Sequence, residues 1–246
     1  MITKEELKEY YKHSLFNIGQ AEKDYMQNIV LFCIYRIYAN ELIFKGGTAL
    51  SKCYGLDRFS EDLDFTSKVH FDTNKLKSKL KAFQIEFELE EKEFQEKTTK
   101  ITLRIYGPLY NGTRNSLCKI ILDISYRDNL LVSPEIVKII SQREIPSFDV
   151  YVMNKEEILT EKLRAIIMRD KARDVYDLWY LLKAKTNINI NLVDNKFLFF
   201  KEKFDIKVFK NRLLDKQSIW DSELSGLISN VPNFKDVCNE IIEQFK

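Results

Sequence analysis

The sequence contains only two histidines, His13 and His70, and neither lies near a plausible nucleophile. A catalytic triad built on histidine therefore does not fit this chain. Cysteine is also scarce, and the four residues stand far apart in apolar, periodic segments without a Cys-x-x-Cys pair: Cys33, Cys53, Cys118 and Cys238. This spacing predicts reduced core cysteines and argues against a zinc site or a disulfide framework.

Long apolar runs are missing as well. No apolar segment follows the polar start Met-Ile-Thr-Lys-Glu-Glu, and no run approaches the length of a membrane span. We therefore expect a cytoplasmic protein with no membrane partner. With 246 residues and 45% hydrophobic content, the chain can form one large domain or two small lobes that share a core, and disorder is not expected.

A glycine pair and two alternating aspartates form the most informative segment. The apolar residues 42–44 predict a strand, and Gly46-Gly47 allows a sharp turn into a short helix. The free N–H groups and positive dipole end of such a helix suit a triphosphate, and Thr48 can add a hydroxyl. On the next predicted strand, Asp62 and Asp64 point to the same face. Because parallel carboxylates repel each other unless a cation lies between them, these hard oxygen ligands predict Mg²⁺.

Each half of this pattern has an ordinary explanation when it stands alone. A lone Gly-Gly is usually a turn, and Asp-x-Asp is usually a solvated strand face. In combination, Gly-Gly, a helix and Asp-hydrophobic-Asp-hydrophobic are the signature of the nucleotidyltransferase superfamily, the fold shared by polymerase beta-like enzymes. The segments Gly-Gly-Thr-Ala-Leu-Ser-Lys at 46–52 and Arg-Phe-Ser-Glu-Asp-Leu-Asp-Phe at 58–65 closely resemble the AbiEii/AbiGii toxin family.

A later apolar run, 119–125, predicts a strand that contains one acid, Asp123. If Leu122 and Ile124 face the core, Asp123 lies on the opposite face, and a carboxylate in such a run usually needs a partner. The alternative is a strand-end aspartate that caps the next turn. Because nucleotidyltransferases commonly complete their metal site with an acid on a neighbouring strand, the resemblance implies that Asp123 is the third carboxylate.

Periodicity predicts the other elements. Helices are expected at 22–40, 48–54 and 74–83, and strands at 42–45, 62–66, 85–94 and 100–106. Beyond Pro146 the period changes from two to three and four, which predicts amphipathic helices.

The predicted helices contain a second polar block. Lys162 offers a mobile cation for phosphate oxygens, and Arg173 a fork that can grip them in two places. Asp174 and Asp177 share one helix face, so one of them can orient Lys162 or take a proton from an acceptor hydroxyl. Alone, the block is better explained by a surface ion-pair network with Asp174 as helix N-cap. However, a helical Lys followed by Arg-Asp-x-x-Asp-Leu also resembles the second block of the same toxin family.

The net charge of +2 hides an uneven distribution. Within 196–216 there are three acidic residues and seven basic ones: Lys196, Lys201, Lys203, Lys207, Lys210, Arg212 and Lys216. A local basic surface suits a nucleic-acid partner, although a charge run is more often a solvated helix face.

The resemblance extends from about 41 to 182 and implies an α/β (α+β) protein with the bilobed nucleotidyltransferase fold. The expected domains are 1–150, with a mixed sheet, and 151–246, mainly helical. The resemblance also implies that the protein is the toxin half of a two-gene toxin–antitoxin or phage-defence system, with a cognate antitoxin protein or gene as its partner. Some relatives transfer nucleotides to the 3′ end of tRNA, which makes tRNA or another RNA the expected acceptor.

The implied reaction is attack of an acceptor hydroxyl on the α-phosphate of a nucleoside triphosphate, with release of pyrophosphate. The implied catalytic residues are Asp62, Asp64, Asp123, Lys162, Asp174 and Asp177. The first three of these hold Mg²⁺, with Mn²⁺ as the alternative, and Asp123 also lowers the pKa of the attacking hydroxyl. The implied nucleotide-binding residues are Gly46, Gly47, Thr48, Arg58, Ser60, Lys162 and Arg173. The superfamily often has Gly-Ser at this point, so the hydroxyl role of Thr48 is an assumption.

Two other classes of function share parts of this pattern. A nucleotidyltransferase acting on a small molecule or a protein needs the same aspartates but has less need of the basic helices. A non-catalytic protein that binds nucleic acid or a partner would keep the site as a relic, and the intact carboxylate set argues against it.

Overall fold

The computed structural model describes residues 1–94, 97–127, 130–141 and 144–245. The strands are β1 (Leu42–Lys45), β2 (Leu63–Ser67), β3 (Phe87–Phe94), β4 (Thr98–Ile105), β5 (Cys118–Ser125), β6 (Glu135–Ile139) and β7 (Phe148–Val152). The helices are α1 (Lys4–Tyr10), α2 (Ile18–Tyr35), α3 (Gly46–Tyr54), α4 (Thr73–Ala82), α5 (Lys155–Met168), α6 (Ala172–Lys183), α7 (Ile190–Phe199), α8 (Ile206–Leu214), α9 (Trp220–Leu224) and α10 (Phe234–Glu243).

The seven strands form one mixed sheet in the order β3-β4-β5-β2-β1-β7-β6. The pairs β2–β5 and β1–β7 are parallel, whereas the other neighbours are antiparallel. On β2 the buried Leu63 and Phe65 alternate with the partly exposed Asp64, as period two requires. The predicted α/β fold with a mixed sheet is confirmed.

Local capping sets the length of α2. Asn17 and Gln20 form a reciprocal capping box that begins the helix, and Arg36 is the cap residue at its end. The predicted helix at 22–40 was therefore placed about four residues too late at both ends. Its buried face packs against β5 and β7, and α4 packs against α2.

The prediction of helices directly beyond Pro146 was wrong for β7. Phe148, Val150 and Val152 are buried and alternate with exposed or partly exposed residues, so period two continues to the end of this strand. Strand β6 was missed because its Ile136 is exposed (60%), and an apolar side chain on the solvent face hides the alternation.

The chain divides into two compact units. The first contains Met1–Gly55, Phe59–Asp128 and Pro134–Val152, and it includes the sheet with α1–α4. The second contains Leu56–Arg58, Asn129–Ser133 and Met153–Lys246, and its helices are α5–α10. Within it, α5 packs against α6, α7 and α8. Among the described residues, no helix is long and apolar enough to cross a membrane.

Candidate active site

Gly46 opens α3 with φ +75°, a left-handed conformation that favours glycine. A Cβ at this position would overlap the carboxylate of Asp64. Two independent constraints therefore require glycine at the start of this helix. Lys45 occupies the N-cap position of α3 with an extended backbone, and its side chain makes no capping hydrogen bond to the described residues of the helix.

A row of four charged residues crosses the sheet beside this helix start. Lys45 of β1 pairs with Asp64 of β2, Asp64 pairs with Asp123 of β5, and Asp123 pairs with Lys100 of β4. Residues directly opposite each other on neighbouring strands point to the same face. The two carboxylates therefore lie side by side in a row that has a lysine at each end, and all four residues are partly exposed.

Burial, together with the charges of this row, shifts the pKa of Asp123. Burial raises the pKa of its carboxyl above the ordinary value, and the nearby Asp62 raises it further, while Lys100 and Lys45 oppose the increase. The influence of Asp62 places all three predicted carboxylates in one electrostatic neighbourhood. Lys45 and Lys100 were not singled out from the sequence, because only strand register brings them to the aspartates.

Two buried side chains fix the segment that leads into Asp62. Gln27 of α2 donates from Nε2 to the carbonyl oxygens of Ser60 and Glu61, both at 2.9 Å. Thr48 of α3 donates from Oγ1 to the carbonyl oxygen of Asp62, and its Oγ1 lies 2.8 Å from Ser60 Oγ. Three consecutive carbonyl groups are thus held by two side chains that are each 1% exposed.

This arrangement bears on one predicted residue, Thr48, and adds one that was not predicted, Gln27. The Thr48 hydroxyl is directed into the protein, so in the structure it positions Asp62, and its contact with phosphate stays a prediction. Gln27 was missed by sequence reasoning. The available signal was a polar side chain among the apolar positions of a buried helix, since a buried amide needs hydrogen-bond partners.

The donor atoms of this site decide whether it fits a metal ion. Within residues 1–94, 97–127, 130–141 and 144–245, no group of three or more His, Cys, Asp or Glu side chains is arranged to hold a metal ion. Carboxylates in register still match Mg²⁺, because this ion is usually bound by one or two carboxylates together with substrate phosphates and water. The residues present therefore fit Mg²⁺ bound with a triphosphate better than a closed protein cage.

The second unit contains a buried ion-pair network. The guanidinium of Arg58 contacts Asp177 at two points, with Nε 2.6 Å from Oδ1 and Nη2 2.7 Å from Oδ2. The Nζ of Lys162 lies 2.6 Å from Asp177 Oδ2 and 2.8 Å from Asp174 Oδ1. Arg169 also pairs with Asp174, at 2.7 Å. Both aspartate side chains are completely buried.

The network keeps its carboxylates ionised. Burial by itself would raise the pKa of Asp177, but Arg58 and Lys162 outweigh it and hold that pKa below the ordinary value. For Asp174, burial is likewise outweighed by Lys162 and Arg169, and its pKa is also lowered. Burial would lower the pKa of Lys162, and the two aspartates raise it.

These contacts correct one expectation, for Lys162, and part of the alternative explanation, for Asp174. Lys162 is not a mobile cation, because it is buried between two carboxylates. Asp174 is not the N-cap of α6, because Lys171 occupies that position, and the network lies in the interior instead of on the surface. The catalytic roles of Lys162, Asp174 and Asp177 stay predictions.

The remaining predicted nucleotide ligands differ in exposure. Arg58 is 2% exposed and paired with Asp177, whereas Ser60 and Arg173 are partly exposed. Gly47 is buried in the first turn of α3. The phosphate contacts of these residues stay predictions.

The predicted basic surface at 196–216 is only partly present: Lys196 and Lys216 are buried, whereas Lys201, Lys203 and Lys207 are exposed. Lys196 is fully buried and pairs with Glu157 at 2.7 Å, while Lys216 is buried and pairs with Asp170 at 2.6 Å. Arg212 pairs with Asp170 as well, at 2.9 Å. Because carboxylates of the second unit compensate these three charges, the positive surface is reduced to Lys201, Lys203, Lys207 and Lys210.

The chain is similar in sequence to one protein family and in structure to several solved proteins. Residues 29–240 match the family described as nucleotidyl transferase AbiEii toxin, type IV toxin–antitoxin system. No curated protein sequence matches the chain. Among solved structures, MenT4, a nucleotidyltransferase toxin from Mycobacterium tuberculosis, is similar with a TM-score of 0.69 and 19% identity, covering 100% of this chain and 89% of that one.

JHP933 from Helicobacter pylori is also similar, with a TM-score of 0.58 and 22% identity. The match covers 94% of this chain and 91% of the Helicobacter chain. At these identities the structural likeness establishes a shared fold.

Proposed function

The chain belongs to the AbiEii family of nucleotidyltransferase toxins, and we propose that it transfers a nucleotide from a nucleoside triphosphate to the 3′ hydroxyl of tRNA in a Mg²⁺-dependent reaction. The observation that carries this proposal is the pairing of Asp64 with Asp123, directly beside the glycine start of α3. Nucleotidyl transfer needs a place for an anionic triphosphate and for the cation that accompanies it. The first unit supports both.

The triphosphate binds at the start of α3. Gly46 and Gly47 bring the backbone close to the ligand, and the positive end of the helix dipole attracts its β- and γ-phosphates. Lys45 and Lys100, at the two ends of the charged row, add positive charge at the same face of the sheet. These lysines balance the aspartates and offset the charge that develops on the leaving pyrophosphate.

Asp62, Asp64 and Asp123 are the residues that would hold Mg²⁺. When bound, the ion supplies Lewis-acid polarisation of the phosphate oxygens and neutralises their charge. Gln27 and Thr48 position Asp62 through its own and the two preceding carbonyl groups, so the carboxylate approaches the substrate from a fixed backbone.

In the chemical step, the acceptor oxygen forms a bond to the α-phosphorus. The bond from that phosphorus to the bridging oxygen breaks, and pyrophosphate leaves with the electron pair. The proton of the attacking hydroxyl passes to the carboxylate of Asp123, one of the two acids in the row. The remaining task of the protein is to hold the attacking and leaving oxygens in line, which accounts for a large share of the rate in such reactions.

The experiment is incubation with each of four labelled nucleoside triphosphates, Mg²⁺ and total tRNA, followed by gel analysis of the label. We expect label on tRNA that is lost in Asp64→Ala and Asp62→Ala, with the fold intact by circular dichroism. Asp149→Ala, at an exposed position of β7 in the same sheet, is the matched control and should transfer normally. Near wild-type transfer by Asp64→Ala would contradict the metal assignment, and label on a protein or an aminoglycoside instead of RNA would contradict the acceptor.

The proposal extends to the biological role. We propose that expression of the protein inhibits growth, that a cognate antitoxin relieves this inhibition, and that the pair acts against phage infection. Growth of cells expressing the wild type, Asp64→Ala or wild type with the neighbouring gene tests this. Equal inhibition by the wild type and Asp64→Ala would separate toxicity from nucleotidyl transfer.

A further inference from the structure

Helix α4 carries four lysines and no acidic residue: Lys75, Lys77, Lys79 and Lys81. Its apolar positions Leu76 and Leu80 are completely buried, so the helix is anchored on the core of the first unit and directs its lysines outwards. None of the four lysines forms an ion pair with any residue that the structure describes. Their positive charge is therefore uncompensated.

A groove of about 640 Å³ lies along this helix. The polar and charged residues that line it are Arg36, Asp72, Asn74, Lys75, Ser78 and Lys79. Three cations thus face one acid, and that acid, Asp72, accepts a hydrogen bond from the backbone N–H of Asn74 as the N-cap of α4. The groove is positively charged and offers hydroxyl and amide groups, which is the composition that suits phosphate oxygens.

An aromatic pair adjoins the groove. Phe83, which follows α4, is 41% exposed and meets Phe32 of α2 edge to face, with ring centroids 5.2 Å apart. Lys79 lies 5.8 Å from the Phe83 centroid, and Arg36 lies 5.3 Å from the Phe32 centroid. The exposed Phe83 ring thus has one cation over it and a second cation over the adjoining buried ring, a combination that suits single-stranded nucleic acid because bases stack on exposed rings while cations contact the backbone.

The second unit loses part of its positive charge to pairing with its own carboxylates. Lys196, Arg212 and Lys216 are neutralised by carboxylates of their own unit, so their charge is already satisfied. The charge on α4 has no such internal partner among the described residues. The run at 196–216 keeps four lysines outside these pairs, as many as α4 carries, so the groove and the aromatic pair beside α4 are what favour the α4 site for a polyanion.

We propose that the α4 surface, defined by Arg36, Lys75, Lys79 and Phe83, binds a single-stranded stretch of the RNA acceptor. The cations contact its phosphates and Phe83 stacks on a base. This inference rests on the proposed function for the choice of RNA as the polyanion.

The test compares variants from which the same number of charges has been removed. Arg36→Gln, Lys75→Gln and Lys79→Gln are combined in one protein, and Lys119→Gln, Lys138→Gln and Lys235→Gln, at dispersed exposed lysines, are combined in the matched control. Binding of a fluorescent single-stranded RNA 12-mer and of labelled tRNA is followed by anisotropy between low and moderate salt. We expect the salt slope to fall by about two in the α4 variant, since each lost phosphate contact removes about 0.7 for a single strand. The control should keep the wild-type slope.

Two further variants test base stacking on Phe83 and the competing basic surface separately. Phe83→Leu keeps an apolar side chain against Phe32 and should weaken RNA binding without changing the salt slope, because stacking is lost and charge is retained. A third triple variant, Lys201→Gln, Lys203→Gln and Lys207→Gln, removes exposed charges of the competing surface. Loss of RNA binding in that variant but not in the α4 variant would overturn the inference.

The outcomes also separate this inference from the proposed function. If the wild type labels no RNA but the α4 variant loses RNA binding, the inference holds and the reaction scheme fails. If tRNA is labelled and the α4 variant keeps both its RNA affinity and its KM for tRNA, the inference fails alone. Stronger binding of the wild type to phosphatidylserine vesicles or to polyglutamate than to RNA would also overturn it.

Discussion

At Gly46 the backbone and a neighbouring side chain impose the same requirement. The φ of +75° disfavours any L side chain, and the space that a Cβ would need is taken by the Asp64 carboxylate. Gln27 and Thr48 act on the segment before Asp64 by holding the carbonyl groups of 60–62. Uncharged residues thus constrain the backbone and the space around these carboxylates.

Gly46→Ala should abolish transfer, because the new methyl group displaces Asp64. The matched control is Gly112→Ala, since Gly112 also has a positive φ (+92°) but a Cβ there would meet nothing within 4 Å. Both variants should lose about 1–3 kcal/mol of unfolding free energy through backbone strain. Only Gly46→Ala should lose activity, measured as label transferred per active protein, and equal activity in the two variants would show that the Asp64 contact is unimportant.

Gln27→Leu should weaken the response to Mg²⁺. Without the amide, the Ser60 and Glu61 carbonyls lose their buried partner, which costs about 1–3 kcal/mol of unfolding free energy and loosens the approach to Asp62. We expect the Mg²⁺ concentration for half-maximal transfer to rise several-fold. The exposed Gln217→Leu serves as control. A loss of stability with an unchanged Mg²⁺ requirement would reduce Gln27 to a purely structural residue.

At the scale of elements, α5 and α6 are joined by charges that have little contact with solvent. Lys162 of α5 lies between Asp174 and Asp177 of α6, and Arg58 completes the pairing of Asp177. Removing one member of a buried pair leaves an uncompensated charge and lowers the free energy of unfolding by roughly 3–5 kcal/mol. Lys162→Ala is therefore expected to lower stability strongly, whatever its effect on transfer.

The same network predicts a dependence of stability on pH. The pKa values of Asp174 and Asp177 are lowered in the folded protein, so their contribution is complete above the unfolded carboxyl pKa of about 4. It should be lost as the pH falls through the lowered folded values. Urea unfolding between pH 7 and pH 2, followed by fluorescence, measures this in the second unit, because both tryptophans, Trp179 and Trp220, lie there. Asp174→Asn should flatten the acid limb, and an equally steep limb in that variant would contradict the assignment.

At the scale of the whole molecule, the second unit is not a continuous piece of chain. Its segment 130–133 donates backbone N–H groups of Leu131 and Val132 to the buried Glu157, at 3.0–3.1 Å, and Glu157 pairs with Lys196. Its segment 56–58 supplies Arg58 to Asp177. Two short stretches that lie between segments of the first unit in the sequence thus satisfy charges in the interior of the second unit.

A fragment containing only 153–246 should therefore fold poorly. It lacks Arg58 and the 130–133 backbone, so Asp177 and Glu157 would be buried with fewer partners. We expect lower helicity by circular dichroism and a less cooperative tryptophan transition than in the full chain. The full chain carrying Arg58→Gln is the matched comparison, since it loses only one of these contacts. A fragment as stable as the full chain would show that the two segments contribute little.

The sequence by itself determined the local part of this protein. The alternation of Leu63, Asp64 and Phe65 in β2 and the glycine turn into α3 depend on neighbours within a few residues, so pattern alone predicted them. The strand was predicted to begin at Asp62 but begins at Leu63, and the shared face of Asp62 and Asp64 stays a prediction. The family was also evident from these motifs. Asp123 could be singled out as an acid in an apolar strand.

Only the tertiary structure decided which distant residues meet. The register of β2 with β5 pairs Asp64 with Asp123, and the registers of β1 and β4 add Lys45 and Lys100. Likewise, Lys196 and Lys216 belong to a basic run in the sequence, but the fold buries both and pairs them with Glu157 and Asp170. The reason is physical: whether a charge faces solvent, substrate or a counter-ion depends on what the fold places opposite it, and sequence spacing does not contain that information.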